Sequence, residues 1–234
     1  MYPFLLNANY LILMLPAFIV MMAAQWYVSS SYAKWGRVPN KSGLTGTEVA
    51  RRLIERGGLS GVDIEQVPGN LSDHYDPRKK VLRLSAGVAQ SSSVAAAAIA
   101  AHELGHAMQD REDYLPLRLR AALVPAVNVG SYLGWILLII GIMLQATSLA
   151  WLGVAVFAGG AVFALATLPV ELNASARARQ LLTTAGIISD EQERSGVNTV
   201  LNAAALTYVA ALFAAIMQLL YYVLLVMGMS GRRR

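Results

Sequence analysis

The sequence predicts a mainly α, integral membrane protein. It has about four transmembrane helices and one small cytoplasmic α+β unit. Three observations carry this. The 234 residues are 56% hydrophobic and only 14% charged, which is too apolar for an ordinary soluble domain. The charge is concentrated between Lys34 and Arg120 rather than spread along the chain. Within that charged stretch stands His102-Glu103-Leu104-Gly105-His106, at the end of an alanine-rich run.

Residues 1–29 form the first predicted transmembrane helix. Leu5 to Val28 is almost free of charge and exceeds the ~20 residues that span a bilayer. Trp26 and Tyr27 close it as an interfacial aromatic pair. A cleaved signal peptide is the competing reading. No positive n-region precedes the apolar run, which favours a retained helix.

Residues 30–122 read as the cytoplasmic catalytic unit. Thr45-Gly46-Thr47-Glu48 predicts a helix start, either as a Thr45/Glu48 capping box or from Thr47. Val49, Leu53 and Ile54 give that helix an apolar face, and Gly57-Gly58 stops it. Val62–Val67 alternates as a strand, Pro68-Gly69-Asn70 signals a turn, and Val81–Ser85 alternates again. A two- or three-stranded sheet is expected, with the last strand offering a free edge to an extended peptide. Ser93 is a good N-cap for the alanine run, and alanine is the strongest helix former.

Residues 123–146 and 147–170 are the second and third spans. Gln145-Ala146-Thr147 is so short a link that they should form a hairpin. Gly130, Gly134, Gly141, Gly153, Gly159 and Gly160 would allow close helix contact. Residues 171–202 are read as a second cytoplasmic segment, 203–229 as the fourth span and 230–234 as a basic tail. Lys34–Arg120 holds 13 lysines and arginines and Glu171–Asn202 three, against three in the tail. The positive-inside rule places both larger segments in the cytoplasm, with the tail as a dissent. The basic excess shows no stripe with interleaved aromatics, so no nucleic-acid partner is expected. Oligomeric state is silent.

On a helix, His102 and His106 lie one above the other on one face and can bind one zinc ion, with Glu103 beside them as proton acceptor. A chance H-E-x-x-H is expected on the order of half a percent of the time in a chain this long. Two of the three histidines fall in the motif, and there is no cysteine to serve the metal. Gly105 is worth roughly 1 kcal/mol less than alanine mid-helix. It lets another backbone approach closely or makes room under the metal.

A catalytic zinc needs three protein ligands and an open position. Glu171 falls on the same predicted side of the membrane as the motif. Ser175, four residues on, shares its helical face and can hold an imidazole nitrogen. The alternative for Glu171 is an interfacial carboxylate capping a helix start.

Several motifs in register then resemble one family. Asp73-His74-Tyr75-Asp76-Pro77-Arg78, Leu82-Arg83-Leu84-Ser85, Ala101–Ala107, Leu168-Pro169-Val170-Glu171 and Ala203–Ala211 are similar to those of the YugP-type bacterial membrane zinc metallopeptidases, also called neutral zinc metallopeptidases. The resemblance covers nearly the whole chain. That family resembles membrane gluzincins of the HtpX type, in which a glutamate opening an E-x-x-A-[DS] stretch is the third ligand. The resemblance thus implies that Glu171 is a ligand. Asn173 departs from the aspartate associated with the family and puts a role at that position in doubt.

His74 admits two readings, an oxyanion donor or a turn residue beside Asp76-Pro77, of which the second is preferred. Tyr208 is an oxyanion candidate or an interfacial tyrosine, and Arg177 is a third candidate. The expected function is zinc-dependent endopeptidase activity by activated water, with one Zn²⁺ per chain. Substrates would be peptides or proteins, membrane proteins among them, cut near the cytoplasmic face of a bacterial inner (plasma) membrane that the chain crosses several times. An inactive zinc-binding scaffold of the same fold is the alternative. A metal transporter is disfavoured, because its ligands would sit at the bilayer midplane and both motif histidines lie outside every apolar span.

Overall fold

The structure is a computed structural model that describes residues 8–231; the tail arginines 232–234 lie outside the described residues. Its elements in order are α1 (Ala8–Trp35), α2 (Gly46–Arg56), β1 (Asp63–Val67), β2 (His74–Asp76), β3 (Val81–Ser85), α3 (Ala86–Ala89), α4 (Val94–Arg111), α5 (Leu115–Met143), α6 (Thr147–Thr184) and α7 (Glu191–Gly231). The protein is mainly helical with a small sheet. Among the described residues, α1, α5, α6 and α7 are long and apolar enough to cross a membrane.

The chain divides into two compact units. One comprises residues up to Ala24, Arg118–Leu168 and the chain from Thr207. Its α5 and α6 segments are joined by the short link expected for a hairpin, and backbone approach between them is close. A Cβ on Gly141 would lie 2.4 Å from the Ala150 amide nitrogen, and one on Gly153 2.5 Å from that of Leu138. Only glycine fits there. Gly159 and Gly160 face open space instead. Tyr221, Tyr222, Val226, Leu138, Ala150 and Val154 form this unit's buried cluster. Many large apolar side chains stay exposed, Ile12, Val129, Tyr132 and Leu165 among them, as suits helices facing lipid.

The second unit comprises Gln25–Leu117 and Pro169–Leu206. Its centre is α4. Val94 to Ala98, Ala100, Ala101, Leu104 and Ala107 are all buried, and their small side chains let neighbouring backbones come close. Ser93 caps α4 by accepting from the Ala96 amide at 3.1 Å. The Thr45/Glu48 capping box starts α2, whose apolar face buries Val49 and Leu53.

The sheet has the order β1-β3-β2. β1 pairs parallel to β3 (Ile64 opposite Leu82) and β2 antiparallel to it (Tyr75 opposite Leu82). β3, the strand immediately before the helical region, is therefore central, and its edges are both taken. The edge strand beside α4 is β2. Three residues followed by Pro77 are too few to show alternation in the sequence. A second difference concerns α6 and α7. α6 runs unbroken through Pro169 to Thr184 and α7 begins at Glu191, so Glu171 lies well inside a helix rather than at its start. The helix-start explanation of Glu171 thus falls away.

Candidate metal centre

α4 presents His102 and His106 one turn apart, with ring centroids 4.9 Å apart and planes at 85°. α6 presents Glu171 against them. Its Oε2 is 3.3 Å from His102 Nε2 and 3.5 Å from His106 Nε2. One ligand atom from each of the three residues can be chosen so that all lie within 4.8 Å of one another. Glu171 is 2% exposed, and a carboxylate is buried at high cost unless it is well paired.

Gly105 makes this approach possible. A Cβ there would lie 2.5 Å from the Ala174 carbonyl oxygen and 3.1 Å from its carbonyl carbon. Gly105 thus serves a close backbone approach. Without that contact α6 cannot carry Glu171 to the two histidines.

The second nitrogen of each ring is engaged. Ser175 Oγ, buried on α6, lies 3.2 Å from His102 Nδ1. Gln109 Oε1 lies 3.0 Å from His106 Nδ1. Gln109 is fully buried, and its Nε2 donates to the Val170 carbonyl at 2.8 Å and to Asn173 Oδ1 at 2.9 Å. Arg177 Nε donates to the same Asn173 oxygen at 2.7 Å, and its guanidinium pairs with Glu112 at 2.7 Å. Asn173 thus takes part in this chain of contacts as an amide oxygen, where the resemblance left its role in doubt. The Arg177 guanidinium holds the Glu112 carboxyl below the usual carboxylate range.

Glu103 sits between His102 and the edge strand β2. The Tyr75 amide donates to its Oε2 at 3.1 Å, and the Tyr75 hydroxyl donates to Asp110 Oδ2 at 3.0 Å, tying β2 to α4. Burial pushes the Glu103 carboxyl up; the two histidines and the Tyr75 amide offset this only in part. Burial alone would lower the His106 imidazole, but the Glu171 and Glu103 carboxylates outweigh it and hold it above its ordinary value. A carboxyl with a raised proton affinity, beside a pair of imidazoles, suits a group that must take up and release a proton.

The donor set fits zinc. It offers two imidazole nitrogens and one carboxylate oxygen, with no thiolate in the chain, which matches the two-histidine, one-glutamate set of catalytic zinc sites. Magnesium and calcium favour all-oxygen shells.

Of the residues singled out in the sequence, His102, Glu103, His106, Glu171 and Ser175 come together, and Arg177 joins through Asn173. His74 does not. It opens β2, is exposed, and makes its contacts with the Ser72 carbonyl at 2.9 Å and the Arg83 guanidinium at 3.4 Å. The turn that follows is closed by Asp76, which accepts from the Arg78 and Lys79 amides. Tyr208 is a half-buried residue of α7 that belongs to the other unit. Gln109, Tyr75 and Glu112 were not anticipated. Gln109 had a usable signal, since i, i+3 on a helix shares the face of His106.

Residues 10–227 match the family described as "Putative neutral zinc metallopeptidase". The chain is also similar to the "Putative membrane protease YugP" of Bacillus subtilis (strain 168). The identity is 44% over 202 residues, covering 86% of this chain and 89% of that protein. No solved structure matches. A family match that takes in the motif helix, Glu171 and almost all of the four long helices settles the kinship: the chain belongs to the neutral zinc metallopeptidases.

Proposed function

We propose that this protein is a membrane-embedded zinc endopeptidase of gluzincin type that hydrolyses peptide bonds at the His102–His106–Glu171 site. The observation that carries the reading is the convergence of those three side chains, with Glu103 alongside. His102, His106 and Glu171 would hold one Zn²⁺ per chain. Bound there, zinc supplies Lewis-acid polarisation of a water and of the substrate carbonyl. Glu103 takes the proton from the attacking water and delivers it to the leaving amine. The Tyr75 amide holds one Glu103 oxygen, leaving the other for that transfer. β2 stands at the sheet edge beside Glu103, so an extended peptide laid along it passes the site in a defined direction.

The charge distribution supports a multi-pass arrangement in a bacterial plasma membrane with the site on the cytoplasmic side. Residues 1–29, 123–146, 147–170 and 203–229 supply the spans. Residues 30–122 and 171–202 supply the catalytic segments. The substrates are then protein segments close to the bilayer, membrane proteins among them.

Purified protein should contain zinc and cleave a peptide library, and a chelator should abolish cleavage. Glu103→Gln should keep the metal and lose activity by roughly 10²–10⁴-fold, the range for a general base. A Glu103→Gln chain as active as the parent would remove Glu103 from its role. A zinc-loaded parent with no activity would leave the inactive scaffold.

A further inference from the structure

We propose that Gln109 is a positioning residue for the metal site. It fixes which nitrogen of His106 faces the metal and holds the α6 turn that carries Glu171. The inference rests on the zinc reading above.

The argument starts from what each atom can do in a hydrogen bond. Gln109 Nε2 lies 2.8 Å from the Val170 carbonyl oxygen. A backbone carbonyl has only lone pairs, so the group facing it must be the amide NH₂. The Gln109 side chain therefore cannot be reversed, and Oε1 must face His106. Asn173 is fixed by the same logic. Its Oδ1 accepts from Arg177 Nε at 2.7 Å, and a guanidinium only donates. Both amides thus point one way.

Gln109 Oε1 only accepts, so the ring nitrogen 3.0 Å away must carry the hydrogen. That nitrogen is His106 Nδ1. In the neutral imidazole Nε2 then keeps its lone pair, and Nε2 is the atom 3.5 Å from Glu171 Oε2. Gln109 also grips α6 on both sides of Glu171, at Val170 and at Asn173. One fully buried side chain on α4 sets the ring of one ligand and the helical turn of another. His102 is tied to α6 differently, by the Ser175 hydroxyl that α6 itself carries.

A merely structural glutamine would make a different prediction, and two variants of the full chain separate the cases. Zinc affinity is read by chelator competition in detergent micelles, and thermal unfolding of the metal-free protein is read in parallel. Gln109→Met keeps the shape and removes every hydrogen bond. It should bind zinc about 10–100-fold more weakly. Gln109→Glu keeps an oxygen facing His106 Nδ1 but turns the other towards two acceptors, Val170 O and Asn173 Oδ1. It should recover most of the lost zinc affinity while unfolding at or below the temperature of the Met variant. The affinity order is then parent, Glu, Met, and the stability order parent, Met, Glu. A Met variant with parental zinc affinity overturns the inference, as does a Glu variant that binds zinc no better than Met. A parent chain that binds no zinc overturns the metal reading itself and this inference with it.

Discussion

Gly105→Ala sets helix propensity against packing, and the two predict opposite signs. Alanine in a helix interior is worth roughly 1 kcal/mol more than glycine. At position 105 the new Cβ would stand 2.5 Å from the Ala174 carbonyl oxygen and 3.1 Å from the Ala174 Cα. These are backbone atoms, so no side chain can turn aside. Ordinary contact begins near 3.5 Å, so α4 and α6 must part by roughly 1 Å. Overpacking of this kind costs typically 1–3 kcal/mol, enough to cancel the propensity gain and leave a net loss of about 0–2 kcal/mol. The larger effect falls on the metal, because His106 is the next residue and Ala174 lies three residues beyond Glu171. Parting the helices lengthens both contacts to Glu171, and an error of about 1 Å in a reacting geometry can cost 10²-fold. Thermal unfolding, zinc competition and peptide cleavage on the purified variant measure all three. Gly159→Ala, where no atom lies within 4 Å of the added Cβ, is the control and should keep zinc and activity. A Gly105→Ala protein that is more stable than the parent and binds zinc as tightly would refute the close-approach argument.

Two further outcomes follow from the surrounding contacts. Ser175→Ala removes the partner of His102 Nδ1 and should weaken zinc binding about 10–100-fold, read by the same competition; an unchanged affinity would show that the hydroxyl does not orient the ring. The Glu112 carboxyl is held below its ordinary range by Arg177. The unfolded chain therefore binds the proton more readily, and the ion pair's contribution to stability is present above the ordinary glutamate pKa and lost as pH falls through the lowered value. Glu112→Gln should flatten the stability of the metal-free protein across that acidic window relative to the parent. An identical pH dependence in the two would place the Glu112–Arg177 pair outside the balance.

The sequence made the helices legible because their signals are local. The Ser93 cap and the Thr45/Glu48 box each act over a few residues and appear where they are expected, and the four apolar runs fall within α1, α5, α6 and α7. His102 and His106 were legible for the same reason, as a spacing on one helix. Glu171 needed more, since its meeting with the histidines depends on α4 and α6 packing at Gly105. A glycine by itself shows only that some backbone comes near, not which one. Strand β2 was invisible because its pairing with β3 is a tertiary event for three residues. Gln109 is hard to read from the sequence because a glutamine in a helix ordinarily reads as solvated. Only the carbonyl of Val170, brought from 61 residues away, makes it a buried crosslink.

The most direct measurement is the zinc content of the purified parent beside Glu171→Ala, each dialysed against the same trace-zinc buffer. The account predicts one zinc per parent chain and a large loss in the variant, with the metal-free forms sharing the same helical content. Equal zinc in both proteins, or none in either, would contradict the claim that α6 closes a cation site on the two imidazoles of α4.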